Sequence, residues 1–93
     1  MNHLLKKVEN IFLELGFQYK TIGDRKLQYL CYGDCYCRIT YIDKFKALVI
    51  ESADDAEDAA KGVLEDGELY HVDTPEEELL RQLRADIKRY YMT

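Results

Sequence analysis

The sequence predicts an α+β fold: an N-terminal helix, a four-stranded antiparallel β-meander, then two C-terminal helices packed on one sheet face. Apolar residues recur at three- and four-residue spacing at both ends of the chain, the helical period. Between residues 17 and 51 the period drops to two, and the runs of Tyr, Ile, Val, Phe and Thr are separated by short turn signals. With 93 residues, 47% of them apolar and 33% charged, the chain is expected to form a single globular domain over 1–93, enough for one core and too short for two.

Leu4, Leu5, Val8, Ile11, Phe12 and Leu15 make one apolar stripe, so the spacing predicts a helix over 2–15 that stops at Gly16. Strands follow at 17–22, 27–32, 35–42 and 45–51, parted by Gly23-Asp24-Arg25, Gly33-Asp34 and Asp43-Lys44. Ser52 is placed to cap a helix whose first turn is acidic, and Ala53, Ala56, Ala59, Ala60, Val63 and Leu64 give it a small-residue stripe up to about Glu65. Asp66-Gly67 ends that helix, and Glu68 to Val72 reads as a short strand or an extended connector. In the last element, 75–91, Thr74 is the expected N-cap, Pro75 the first helical residue and Glu77 the reciprocal capping-box partner.

All three cysteines lie within the stretch Cys31-Tyr32-Gly33-Asp34-Cys35-Tyr36-Cys37. With Gly33-Asp34 as a two-residue turn, Tyr32 faces Cys35, Cys31 faces Tyr36 and Leu30 faces Cys37 across the hairpin. Directly opposed residues share a sheet face and sequence neighbours do not, so Cys35 and Cys37 point one way and Cys31 the other. Three thiols that do not converge make a poor tetrahedral zinc site. A disulfide between strand positions two apart is strained, since their α-carbons lie about 6.5–7 Å apart. The cysteines are therefore expected to be small, half-buried strand residues, and a metal or thiol module built on Cys31, Cys35 and Cys37 is the alternative. The expectation is no metal and no cofactor.

Carrying the parity through each turn puts Phe17, Tyr19, Leu30, Tyr32, Cys37, Ile39, Leu48 and Ile50 on the face that takes the helices. The opposite face, with Gln18, Lys20, Leu27, Tyr29, Cys31, Tyr36, Arg38, Thr40, Ile42, Phe45 and Val49, is half polar. Tyr29, Tyr36 and Arg38 there are of the types enriched where partners bind. They are the candidate aromatic anchor of a partner surface, or the seam of a homodimer, with a solvated sheet face or one covered by the terminal helix as the alternative.

The net charge of −5 is unevenly spread: residues 51–78 carry twelve acids against Lys61 alone, while the segments on either side are net positive. A block of this kind repels phosphate backbones and attracts cations, so direct nucleic-acid binding is disfavoured and a basic protein partner is favoured. Asp54, Asp55 and Asp58 are the acids expected to steer such a partner. Catalytic patterns are sparse. Ser52, the one serine, is better used as a cap, His71 sits among acids in a connector, and there is no glycine-rich phosphate loop. The chain is accordingly read as a non-enzyme. No stretch approaches the roughly 18 apolar residues of a membrane span, and Met1-Asn2-His3-Leu4-Leu5-Lys6-Lys7 lacks the apolar run of a signal peptide, so a cytoplasmic location without membrane contact is expected.

In element order and acidic charge the chain is similar to small inhibitor proteins of bacteria and phages, such as toxin-immunity proteins and some anti-CRISPR proteins. That resemblance implies an immunity- or inhibitor-type protein that neutralises or regulates a basic protein partner. It rests on no motif, so it assigns no residue a role.

Overall fold

The α1 helix, Asn2–Glu14, lays one apolar stripe on a sheet, and α3, Glu76–Tyr90, lies beside it on the same face. The computed structural model describes residues 2–92, so Met1 and Thr93 of the expected domain lie outside it. Among the described residues the strands are β1 (Gln18–Ile22), β2 (Leu27–Tyr32), β3 (Cys35–Ile42), β4 (Ala47–Ala53) and β5 (Glu65–His71). They pair antiparallel in chain order, β1-β2-β3-β4-β5.

The hairpin register follows from the turn. Leu30 pairs with Cys37, Cys31 with Tyr36 and Tyr32 with Cys35, as the two-residue Gly33-Asp34 turn requires. Parity then sorts the side chains into two clusters. Val8, Ile11 and Phe12 of α1, Leu79, Leu83 and Ile87 of α3, and Leu30, Cys37, Leu48, Ile50 and Tyr70 of the sheet form the main core. Phe12 and Phe17 meet edge to face at 4.9 Å there, which fixes the exit of α1 into the sheet.

The sequence reading needs four corrections. There are five strands and not four: of the two alternatives for Glu68 to Val72 the strand is the one formed, but it spans Glu65–His71 and pairs with β4 from Ser52↔Glu65 to Ala47↔His71 with one register shift. The helix expected from Ser52 to Glu65 is α2, Ala56–Lys61. Ser52 and Ala53 are instead the last residues of β4, where they face Cys37 and Tyr36. An eight-residue β3 needs that much partner, and sheet hydrogen bonds override the weak preference of Ser-Ala-Asp for a helix start. Asp55 is the true cap, its Oδ1 accepting from the Asp58 amide at 2.8 Å, and Gly62 at φ 74° ends the helix in the left-handed region.

The third correction concerns faces. Only α1 and α3 share the Cys37 face; α2 packs on the opposite one, over Tyr29, Cys31 and Ala53, with Ala59 fully buried beneath it. Tyr29 is therefore not part of an exposed patch. It is 1% exposed, and its hydroxyl donates to the Ala59 carbonyl at 2.7 Å, tying α2 to β2. Tyr29→Phe keeps the ring but removes one of two hydrogen bonds to that carbonyl, which still accepts from the Gly62 amide at 3.2 Å, and is expected to cost about 0.5–1.5 kcal/mol in urea unfolding.

The fourth correction is the capping box. Pro75, in an extended conformation at φ −51° and ψ 133°, is itself the N-cap, and its carbonyl accepts from Leu79 at 3.0 Å. The Thr74 amide instead closes a turn onto the His71 carbonyl at 3.1 Å, and no side chain caps α3. Glu76, Glu77 and Glu78 offset the exposed amides through the helix dipole. The two helix starts therefore respond differently to mutation. Asp55→Ala should cost about 0.5–2 kcal/mol, as loss of a working cap does. Thr74→Ala should stay within about 0.5 kcal/mol, as a surface change does. Chemical denaturation of the two variants side by side checks this.

Candidate functional site

One end of the sheet is left open by both helical layers. The β2–β3 turn, the end of β4, the start of β5 and the C-terminal turn of α3 meet there around two adjoining cavities. The first, about 430 Å³, is lined by Tyr32, Gly33, Asp34, Cys35, Asp54, Tyr90, Tyr91 and Met92. The second, about 460 Å³, runs on from Asp54, Tyr90 and Tyr91 to Ser52 and to Glu65, Asp66, Gly67 and Glu68 of β5. Together they form one groove.

Backbone irregularity shapes it. Between Val49↔Leu69 and Glu51↔Asp66 the ladder slips, so that Gly67 and Glu68 stand opposite Ile50 alone. A bulge bends its strand and re-aims the side chains beside it. Gly67 is needed at that point because a β-carbon there would come within 2.5 Å of the Tyr91 hydroxyl and 3.0 Å of the Ile50 carbonyl. Tyr91, half-buried, is thereby held against β5 as the partition between the cavities, while Tyr90, 53% exposed, and Tyr32, 39% exposed, show their rings to solvent. Burial, followed by the nearby Cys37, Cys35, Asp86 and Glu68, pushes the Tyr91 phenol up to about 12. It is a neutral hydroxyl at any ordinary pH.

The electrostatics are one-signed. Five carboxylates line the groove, those of Asp34, Asp54, Glu65, Asp66 and Glu68, and no Lys or Arg does. Elsewhere several acids are matched: Glu14 with Arg84 at 2.6 Å, Glu76 with Lys7 at 2.7 Å, Glu57 with Lys61 at 3.1 Å and Asp43 with Lys46 at 3.0 Å. Among the described residues none of the five groove acids is in an ion pair or a side-chain hydrogen bond. Like charges gathered without counter-charge disfavour the folded state, so the cluster is not there for stability.

The expected site residues are dispersed by the fold. Asp54, exposed at the end of β4, lies in the groove. Asp55 and Asp58 belong to α2 on the other face, where Asp55 is occupied as the cap. Tyr36 is half-buried and stacks edge to face on the buried Tyr29 at 6.2 Å. Arg38 is committed across the ladder to Glu51, with Nε and Nη2 each 3.2 Å from Oε1, and Thr40 donates to the same oxygen. The groove tyrosines Tyr32, Tyr90 and Tyr91 and the acids of β5 were missed by the sequence reading. The signal was present in Tyr90-Tyr91 at a helix end and Glu65-Asp66-Gly67-Glu68, but only the sheet order joins them.

Cys35 and Cys37 share a face, as parity requires, with their sulfurs 3.6 Å apart. Cys31 is buried on the other side under α2. Among the described residues no three His, Cys, Asp or Glu side chains converge to hold a metal ion. No helix is long and apolar enough to cross a membrane. His71 is exposed at the far end of β5, and Ser52 hydrogen-bonds to no base. What the groove can do chemically is hold positive charge against tyrosine rings. Compared with family models, with curated proteins and with solved structures, the chain matches none.

Proposed function

We propose that the protein is a non-enzymatic binding protein that takes a cationic segment of a partner protein into the acidic, tyrosine-lined groove, and so neutralises or regulates that partner. The observation that carries this is the set of five groove carboxylates without a counter-charge, beside two exposed tyrosine rings. A guanidinium 4 Å from one carboxylate gains only about 1 kcal/mol in water, and a tyrosine face adds about 0.5–1 kcal/mol at an exposed site. No single contact suffices. The partner must present several Lys or Arg side chains at once, over a surface wider than the groove.

Titration of isotopically labelled protein with a peptide rich in Arg and Lys, followed by amide chemical shifts, tests this. Shifts should gather at residues 32–35, at Asp54, at 65–68 and at 90–92, and should fade as salt screens the charges. A peptide rich in Glu should leave them unmoved. Shifts gathered on α2, or none with the basic peptide, would remove the groove from consideration.

A further inference from the structure

The cysteine pair at the inner end of the groove is unused by that reading. Cys35 lines the first cavity and is only partly covered, whereas Cys37, two residues along β3 on the same face, is fully buried in the main core. Their sulfurs are 3.6 Å apart, in contact but unbonded. One thiol is thus open to the groove and a second waits directly behind it. We propose that Cys35 is a thiol nucleophile that reacts with small disulfides entering the groove, and that Cys37 resolves the adduct to a Cys35–Cys37 disulfide.

The reaction balances with a disulfide as oxidant. Cys35 loses its proton to solvent and its thiolate attacks one sulfur of R–S–S–R. The S–S bond breaks, and R–S⁻ leaves with the electron pair and takes a proton from water. Cys37 then gives up its own proton and attacks the Cys35 sulfur, expelling the second R–S⁻. Two protein thiols are oxidised and one disulfide is reduced to two thiols.

The surroundings favour this division of roles. A hydrogen bond from Cys37 lowers the proton affinity of Cys35, against the opposing effects of burial and of Asp54. The same contact, with burial, raises that of Cys37 well above the ordinary thiol range. Once Cys35 is in a mixed disulfide it no longer competes for negative charge with Cys37, and the Cys37 proton is released more easily. The closing bond must shorten the sulfur separation to about 2.05 Å between positions whose α-carbon spacing on a strand is near the outer limit for a disulfide, so the product is strained and readily reduced again. Cys31, 4% exposed and on the other face, cannot take part.

The test uses 2-hydroxyethyl disulfide, which is uncharged, so the outcome is independent of whether the groove binds cations. Wild-type protein should finish with a Cys35–Cys37 disulfide, found by peptide mapping, and with no retained adduct. Cys37→Ala should instead hold a mercaptoethanol adduct at Cys35, and Cys35→Ala should slow thiol loss at least about tenfold. Thiol loss in Cys35→Ala at the wild-type rate would overturn the proposal. So would wild-type protein that keeps its adduct without closing. If Cys37→Ala does not fold, the wild-type peptide map decides alone.

Discussion

Phe12→Ala is expected to lower the unfolding free energy by about 3–5 kcal/mol, with Leu83→Ala close behind at about 2–5 kcal/mol. Both side chains are fully buried, one from each helix of the pair on the Cys37 face, and both touch the same sheet cluster. Truncation loses the transfer free energy of the ring or branch and leaves a cavity that two helices and a sheet cannot all collapse into. Domains commonly hold only about 5–15 kcal/mol in total, so either change removes a large share. Leu13→Ala, one position along α1 but 40% exposed, is the control and should stay within about 0.5 kcal/mol. Equal losses at Phe12 and Leu13 in urea unfolding would show that α1 does not dock by this face.

The core was readable because its signals are local and repeated. The stripe Val8, Ile11, Phe12 recurs at helical spacing, and the turn Gly33-Asp34 alone fixes which cysteine faces which tyrosine. Residues 52–71 were misread because two weak local signals competed with a long-range one. Ser52 and Ala53 resemble a helix start, yet β3 supplies them with strand partners, and Glu65-Asp66-Gly67-Glu68 has little strand propensity but completes the edge of β4. The placement of α2 follows from that error. A helix that starts three residues later, after two more strand residues, leaves β4 toward the opposite face and covers Tyr29. The groove was illegible for the same reason, since its walls come from the β2–β3 turn, β4, β5 and α3, and no one of these segments carries both the full set of acids and the exposed tyrosine rings.

Replacing three groove acids, Asp54→Asn, Asp66→Asn and Glu68→Gln together, is expected to weaken binding of an arginine- and lysine-rich peptide at least about tenfold at low salt. Three unit charges at about 1 kcal/mol each in water set the upper end of the loss, and screening at physiological ionic strength reduces it. Most of the change should fall on the association rate, because exposed charges act on encounter before contact is made. Tyr90→Ala should do the reverse and speed dissociation, at a cost of about 2 kcal/mol if its exposed ring anchors the complex. The triple variant should be at least as stable as the parent, since it relieves repulsion and breaks no ion pair.

The most direct measurement sets that triple variant against a charge-matched one at the start of α2, Asp55→Asn, Glu57→Gln and Asp58→Asn, which removes three charges from the opposite sheet face. Each is offered the same arginine- and lysine-rich peptide at low salt, and the dissociation constants are compared by calorimetry. The groove variant should lose at least about tenfold in affinity and the α2 variant less than about threefold. Equal losses would show that net charge alone attracts the peptide, and a larger loss from the α2 variant would place the binding surface on the wrong side of the molecule.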